Sequence, residues 1–139
     1  MNKIYTPDQT TEISIPLYMT SIEAGFPSPA DDYIEGSLDL NQHLVKHPAA
    51  TFFVRVSGES MINAGIYPGD ILIVDRSLEA VDKKIVIAVV DGDLTVKRLR
   101  IRSGKPFLEP ENDRFKPIEI KPDMVFEIWG VVTNVIHKV

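Results

Sequence analysis

Residues 84–101, KIVIAVVDGDLTVKRLRI, hold two strand-like apolar runs separated by Asp91-Gly92. Asp-Gly between two such runs is the strongest local signal for a β-hairpin with a two-residue turn. Such a turn sets the register, so it places Lys97 directly opposite Val86. The stretch therefore predicts two paired antiparallel strands and gives Lys97 an apolar neighbour.

Further strand signals flank the hairpin from about residue 50 onward. TFFVRV (51–56) and DILIVD (70–75) are short runs rich in β-branched, aromatic and aliphatic side chains, too short for ordinary helices. MVFEIWGVVTNVI (124–136) predicts one long strand or a bent pair of strands, with the bend at Gly130. YPGD (67–70) has the proline and glycine of a type II turn. The sequence thus predicts a mostly β domain.

The first part of the chain has a different pattern. GFPSPADDY (25–33) carries two prolines and two aspartates, which interrupt both helices and β-ladders. DLNQHLVKH (39–47) predicts a short helix with Asp39 as its N-cap. We therefore predict an N-terminal arm over residues 1–45 with few internal contacts, followed by the β domain over residues 46–139.

The composition excludes several classes of site. The chain has 139 residues, a net charge of -5 and no cysteine, which rules out disulfides, thiolate zinc sites and a cysteine nucleophile. It carries no phosphate loop, dinucleotide fingerprint or zinc motif, so we expect no cofactor and no metal ion. The N-terminus lacks the apolar core of a signal peptide and no run is long enough to cross a bilayer, so we expect a soluble, cytoplasmic protein.

The basic run KRLR (97–100) is a local candidate for a nucleic-acid surface. In a strand these four side chains alternate between two faces and form no single stripe. Together with the net acidic charge, this predicts a solvated surface and no direct sequence-specific DNA binding.

The stretch VSGESMINAGIYPGD (56–70) raises the question of what Ser60 does. Its SMINAGI segment predicts a short helix that begins at or next to Ser60 and ends near Gly65. On this local pattern Ser60 is most simply a helix N-cap, because caps are common and nucleophiles are rare. A helix start also offers unpaired backbone N–H groups, which would hold an oxyanion beside a nucleophilic hydroxyl. Both interpretations stay open at this point.

A nucleophilic serine needs a base, and the three histidines are poorly placed. His43 and His47 lie in or at the end of the predicted arm and His137 is near the C-terminus, so we interpret all three as surface or packing residues. Lys97 is a better candidate, because burial among apolar neighbours lowers the pKa of a lysine and a neutral amine accepts a proton. Periodicity alone favours the alternative in which Lys97 extends its amine to water.

Three segments carry a resemblance to a known family: SGESM (57–61), PGDILIVDRSL (68–78) and DGDLTVKRL (91–99). They are similar to the LexA/signal-peptidase-type Ser-Lys peptidases, and most to the UmuD-like members, which carry only a short arm before the peptidase domain. The resemblance extends over nearly the whole chain. It implies a mostly β fold like the LexA C-terminal domain, with a short helix at the catalytic serine and a flexible N-terminal arm.

The resemblance also implies roles for individual residues. It makes Ser60 the nucleophile and Lys97 the general base, with the backbone N–H groups of Glu59 and Ser60 as oxyanion donors. It further implies a scissile bond between Ala24 and Gly25, where a small residue precedes a glycine ahead of the peptidase domain.

The family implies partners as well. In UmuD-like proteins cleavage is stimulated by the RecA filament on single-stranded DNA, and the trimmed product forms a homodimer. That dimer joins a UmuC-type Y-family polymerase to make DNA polymerase V, which copies past damaged bases. The resemblance thus implies a self-cleaving serine peptidase that regulates error-prone translesion synthesis in the SOS response.

Three other functions remain open from the sequence. The first is a non-enzymatic β domain that binds partners, with Ser60 as a cap. The second is a signal-peptidase-like enzyme that acts in trans, which would require a membrane anchor. The third is a LexA-like repressor or a fragment of one, which would require a helix-turn-helix of roughly 60–70 residues before the scissile bond. Only 24 residues precede Gly25.

Overall fold

The computed structural model of the chain describes residues 4–8, 10–18 and 34–139. The predicted scissile bond between Ala24 and Gly25 and the GFPSPADDY segment lie outside these residues. The described residues fall into two compact units, one within 1–7 and 47–139 and the other within 8–46. The predicted boundary between an arm and a peptidase domain at residues 45 and 46 stays a prediction.

The described elements are short strands with little helix. In chain order the strands are β1 (Ile4–Tyr5), β2 (Ser14–Tyr18), β3 (Ile34–Asp39), β4 (Thr51–Arg55), β5 (Ile71–Asp75), β6 (Ile85–Val90), β7 (Asp93–Arg102), β8 (Lys105–Glu109), β9 (Ile118–Glu119) and β10 (Phe126–Ile136). An α-helix, α1, spans Leu40–Leu44, and two 3-10 helices span Pro48–Ala50 and Ile62–Ala64. The prediction of a mostly β fold is confirmed.

The smaller unit contains a β-hairpin-like pair and α1. Strands β2 and β3 pair antiparallel, and α1 follows β3 directly. Asp39 is the N-cap of α1, and its side chain accepts a hydrogen bond from the Asn41 N–H. The predicted helix and its cap are therefore confirmed, because the signal was a local one that needs no distant contact.

The larger unit is built on one antiparallel sheet. Among the described residues eight strands form it, in the order β1-β4-β5-β10-β6-β7-β8-β9. The runs predicted as strands become β4, β5, β6, β7 and β10. In the predicted turn, Gly69 has φ 92° and the Asp70 N–H bonds the Tyr67 carbonyl at 3.0 Å, as a type II turn requires.

The β6–β7 hairpin has the predicted register. Asp91 and Gly92 have φ of 49° and 88°, the positive values of a type I′ turn. Lys97 lies opposite Val86, as expected from a two-residue turn. Strand β8 pairs with β7 only from Arg98 onward. Among the described strands, the part of β7 from Asp93 to Lys97 is therefore paired on one edge alone.

Gly130 lies where β10 crosses the centre of the sheet. The register with β6 shifts between Ile128 and Gly130, which is the predicted bend. A Cβ at residue 130 would lie 2.7 Å from Val74 Cγ1 and 3.1 Å from the Asp75 carbonyl oxygen. The glycine is needed because β5 passes too close for any side chain.

The core packs against both faces of the sheet. One cluster contains Met61 and Val96 together with side chains from β4, β5 and β6. A second cluster contains Val86 and Leu99 with side chains from β8 and β10. Met61 directly follows Ser60, and Val96 directly precedes Lys97. Burial of these two apolar side chains in one cluster therefore holds Ser60 and Lys97 near each other.

Candidate active site

The Ser60 loop connects β4 to a single turn of 3-10 helix. Gly58 has φ 85°, which turns the chain before Ser60, and Met61 is buried immediately after it. The predicted short helix is present as the three-residue 3-10 helix Ile62–Ala64. It stops there because Gly65 takes the left-handed conformation, with φ 80°.

Ser60 is not the cap of this helix. The N-cap is Met61, and no side chain caps the helix end. The Asn63 N–H donates its hydrogen bond outside the helix, to the Glu111 carbonyl at 2.8 Å. The capping interpretation of Ser60 is therefore wrong, and its hydroxyl is available for another contact.

That contact is with Lys97. Lys97 Nζ lies 3.1 Å from Ser60 Oγ, 2.7 Å from Thr95 Oγ1 and 3.2 Å from the Val96 carbonyl oxygen. The side chain is partly buried, and this burial lowers the pKa of Lys97 below the usual 10.5, because removal of water disfavours the ammonium form. The structure therefore brings the predicted nucleophile and base to hydrogen-bond distance.

The three oxygens around Lys97 Nζ suit both charge states of the amine. A charged amine has three N–H donors, one for each oxygen. A neutral amine has two N–H donors and one lone pair, so it can donate to Thr95 and Val96 while it accepts the Ser60 hydroxyl proton. The same geometry is thus compatible with a charged ammonium and with a neutral amine that is able to accept the hydroxyl proton.

The backbone at Glu59 and Ser60 has two N–H groups that are free to donate to an oxyanion. Within the described part of the chain, the backbone N–H groups of Glu59 and Ser60 have no acceptor. A groove of about 290 Å³ runs between residues 57–60 and 94–97, with Phe115 also in its wall. The hydroxyl, the amine and two unpaired N–H groups therefore belong to one open groove, which is the arrangement that acyl transfer from a peptide requires.

Comparison with known proteins identifies the class of site. The family model described as Peptidase S24-like matches residues 16–133. The chain belongs to the Peptidase S24-like family. Membership confirms the resemblance to the LexA and UmuD-like serine peptidases that the three sequence segments carry, and it makes the protein a serine peptidase by class.

Curated relatives cover most of the chain. Protein ImpA of Salmonella typhimurium is 50% identical over 123 residues, which are 88% of this chain and 83% of ImpA. Protein MucA of Escherichia coli is 50% identical over 122 residues, 87% of this chain and 83% of MucA. The LexA repressor of Aliivibrio salmonicida is 36% identical over 133 residues, which are 95% of this chain but 63% of the repressor.

Among the described residues, no hydrogen bond joins a histidine of this S24-like chain to the Ser60 hydroxyl. His43 is exposed on α1. His47 Nδ1 lies 2.6 Å from buried Asp75, and His137 Nδ1 lies 2.6 Å from buried Asp70. Ser77 also bonds Asp75, so this cluster has the residue types of a Ser-His-Asp triad. In this cluster, however, Ser77 and His47 both bond the Asp75 carboxylate. In a catalytic triad the serine hydroxyl bonds the histidine imidazole instead.

The arginines of the KRLR run and its continuation pair with acids. Arg98 bonds Glu111 at 2.5 Å, and Arg100 bonds Asp82 at 3.2 Å. Farther along β7, Arg102 Nη2 lies 3.0 Å from a Glu109 carboxylate oxygen. A phosphate backbone would have to displace these carboxylates, so the strand offers no free basic stripe.

Sequence reasoning missed two contributors to the site. Thr95 is two positions before Lys97, so in a strand the two share a face, and that spacing was the available signal for its hydrogen bond to the amine. The segment Glu111–Asn112 had no such signal, although it bonds the backbone of the Ser60 loop at three points. Its contribution depends on where β8 ends, which no local pattern predicts.

The described residues contain no group of three or more side chains suited to hold a metal ion. Nor does any helix among them have the length and apolar character needed to span a membrane.

Proposed function

We propose that this S24-like peptidase cuts its own chain, or that of a second copy, between Ala24 and Gly25. Ser60 is the nucleophile and Lys97 the general base in this proposal. The observation that carries it is the 3.1 Å distance between Lys97 Nζ and Ser60 Oγ, combined with the burial that lowers the pKa of Lys97.

The chemistry follows from the arrangement of the groove. Lys97 takes the Ser60 proton as Oγ bonds the Ala24 carbonyl carbon, and the N–H groups of Glu59 and Ser60 stabilise the oxyanion. The C–N bond to Gly25 then breaks, and the Gly25 nitrogen leaves as an amine with the proton from Lys97. A water molecule, deprotonated by Lys97, releases Ala24 as a carboxylate and restores the Ser60 hydroxyl.

The edge of β7 offers a place for the cleaved segment. Residues 93–97 are paired on one edge alone among the described strands, and they border the groove that contains Ser60. An extended peptide can add to such an edge by backbone hydrogen bonds. We propose that residues 1–45 act as the arm that delivers the Ala24–Gly25 bond there, and that residues 46–139 are the peptidase domain.

Family membership and the similarity to ImpA and MucA support a proposal for the biological role. We propose that the protein regulates SOS mutagenesis in the cytoplasm, and that the RecA filament on single-stranded DNA promotes docking of the arm. The trimmed product forms a homodimer and joins a UmuC-type Y-family polymerase for error-prone translesion synthesis. The untrimmed chain restrains that activity.

A cleavage assay on the full chain tests the peptidase. The purified protein is incubated with RecA, single-stranded DNA and a nucleoside triphosphate, or alone at high pH, and the fragments are measured by intact mass. We expect a product that begins at Gly25. It is absent in Ser60→Ala and slower by at least about 100-fold in Lys97→Ala, the usual contribution of a general base.

Ser77→Ala is the matched control, because Ser77 is also bonded to a charged partner but lies outside the groove. It should cut at the wild-type rate. Unchanged cutting in Ser60→Ala would reject the proposal, and an intact chain in every condition would favour a β domain that only binds partners. Co-purification of the trimmed product with a UmuC-type polymerase tests the proposed role separately.

A further inference from the structure

The Glu111–Asn112 segment, which follows β8, contacts the Ser60 loop from outside the groove wall. The Glu111 N–H donates to the Ser60 carbonyl at 2.8 Å, and the Glu111 carbonyl accepts from the Asn63 N–H at 2.8 Å. Asn112 Nδ2 donates to the Glu59 carbonyl at 2.8 Å. These bonds hold the carbonyl groups on both sides of the Ser60 α-carbon.

Asn112 is built into this position. Asn112 is 8% exposed, and its side-chain Oδ1 accepts a hydrogen bond from the Arg114 N–H at 3.0 Å. Because Oδ1 is used in this way, Nδ2 is the atom that faces the Glu59 carbonyl. The Ile62 N–H also approaches that carbonyl, but at 3.4 Å, so Asn112 makes the shorter contact.

The geometry of the peptide bond links these contacts to the oxyanion donor. The Glu59 carbonyl and the Ser60 N–H belong to one planar trans peptide group, so they point in opposite directions. When Asn112 holds the carbonyl on one side, the Ser60 N–H must point to the other side. That N–H has no acceptor among the described residues, as an oxyanion donor requires.

We propose that Asn112 is a positioning residue that orients the Glu59–Ser60 peptide so that the Ser60 N–H faces the oxyanion. Glu111 holds the next peptide group through the Ser60 carbonyl. This assignment rests on the proposed peptidase function for its chemistry, although the hydrogen bonds themselves do not.

The same segment is tied to the strand that carries the base. Arg98 follows Lys97 on β7, and its Nε bonds the Glu111 carboxylate at 2.5 Å. Its guanidinium also donates to the Lys83 carbonyl at 2.7 Å. The segment therefore connects the loop that carries Ser60 with the strand that carries Lys97, independently of the Ser60–Lys97 contact.

Two substitutions in the full chain separate this role from simple packing. Asn112→Asp keeps the shape and the acceptor for Arg114 but loses the donor to Glu59, whereas Asn112→Leu loses the donor without adding charge. We expect both to slow high-pH cleavage by about tenfold or more, since loss of a whole oxyanion donor costs 100- to 1000-fold. The pH midpoint of cleavage should not move in Asn112→Leu, because this variant adds no charge and leaves Lys97 untouched.

Asn134→Asp is the control, because it adds the same charge at an exposed position on β10. It should cut at the wild-type rate. Circular dichroism verifies that each variant is folded, and backbone ¹⁵N relaxation at neutral pH reports the order of the Ser60 N–H. We expect that order to fall in the two Asn112 variants and to stay unchanged in Asn134→Asp.

The two readouts distinguish failure of this assignment from failure of the proposed function. If the wild type cuts and both Asn112 variants cut as fast, the positioning role is rejected while the peptidase stands. If the wild type never cuts but the Ser60 N–H loses order in both variants, the peptidase function is rejected. The role of Asn112 in orienting the Glu59–Ser60 peptide then still stands. A shifted pH midpoint in Asn112→Leu would assign the effect to Lys97 and also reject the oxyanion role.

Discussion

Thr95 Oγ1 lies 2.7 Å from Lys97 Nζ, closer than Ser60 Oγ at 3.1 Å. The two residues are on the same face of β7, two positions apart, so the strand itself sets their distance. Thr95 therefore holds the amine from one side while Ser60 approaches from another. The lone pair of a neutral Lys97 is directed toward Ser60 only if the two N–H groups have other acceptors.

Substitution of Thr95 tests this orientation. Thr95→Val keeps the volume and removes the hydroxyl, so we expect cleavage at high pH to slow by about tenfold, the effect of roughly 1.4 kcal/mol in the barrier. Thr95→Ser restores the hydroxyl and should cut at close to the wild-type rate. Equal rates in Thr95→Val and the wild type would show that the amine is oriented without Thr95.

The cleavage rate should rise with pH. Only the neutral amine accepts the Ser60 proton, and burial lowers the pKa of Lys97 below 10.5. Below that lowered pKa the rate should increase by about tenfold per pH unit, and above it the rate should reach a plateau. First-order rates from pH 6 to 11 measure this profile. A rate that falls or stays flat over this range would contradict Lys97 as the base.

Burial of Lys97 should also cost stability at neutral pH. Its folded pKa is lowered relative to the unfolded value, so the unfolded state binds more protons between the two values and wild-type stability rises with pH in that window. Below the window the penalty is present in full. Lys97→Met removes the charge, so we expect a higher free energy of unfolding at pH 7 and a smaller gain at pH 10.5.

Urea unfolding at the two pH values measures this difference. Lys84→Met, at an exposed position before β6, is the control and should not change how stability depends on pH. A Lys97→Met variant that is less stable than wild type at pH 7 would show that the hydrogen bonds of the amine outweigh its burial.

The pairing of Arg98 with Glu111 should matter for cleavage. Both side chains are 27% exposed, and Glu111 bonds the backbone at Ser60 and Asn63. We expect Arg98→Gln to slow cleavage several-fold and to lower the free energy of unfolding by about 1 kcal/mol, the upper range for an exposed pair. The charge-reversed double variant Arg98→Glu with Glu111→Arg should recover part of the rate.

Arg102→Gln provides the comparison, because Arg102 on β7 pairs with Glu109 on β8, which makes none of the backbone contacts to the Ser60 loop that Glu111 makes. Its cleavage rate should match the wild type. If Arg98→Gln and Arg102→Gln behave alike, the Arg98–Glu111 pair has no specific connection to the site.

Gly130→Ala should destabilise the sheet. The added Cβ would lie 2.7 Å from Val74 Cγ1 and 3.1 Å from backbone, so β5 and β10 must move apart. We expect a loss of about 1–3 kcal/mol in the free energy of unfolding, as for other overpacked positions. Gly36→Ala meets nothing within 4 Å and is the matched substitution. Similar urea midpoints for the two variants would contradict the close approach at Gly130.

Local signals in the sequence predicted several elements of the structure correctly. The Asp91-Gly92 turn predicted the register that places Lys97 opposite Val86, since a two-residue turn fixes which residues of the two strands pair. Asp39 predicted the start of α1 in the same way. The extent of helix beside Ser60 was harder to predict, because the N–H of Asn63 bonds a carbonyl from a distant segment.

The site itself depended on contacts between distant parts of the chain. Ser60 and Lys97 are 37 positions apart, and no periodicity brings them within 3.1 Å. Family resemblance linked them before the structure was known, but it did not indicate Thr95 as the closest partner of the amine. Nor did it indicate Asn112, which is 53 positions from the carbonyl it bonds.

The sequence by itself determined strands β4 to β7 and β10, the hairpin register, the cap of α1 and the family, because each depends on neighbouring residues or on a motif read in order. It did not indicate the β2–β3 pair within residues 1–45, which were expected to have few internal contacts. The tertiary structure alone decided the environment of Lys97 and the orientation of the Ser60 loop. Those properties arise from burial and from hydrogen bonds that form when Met61 and Val96 enter one core cluster and the Glu111–Asn112 segment reaches the loop.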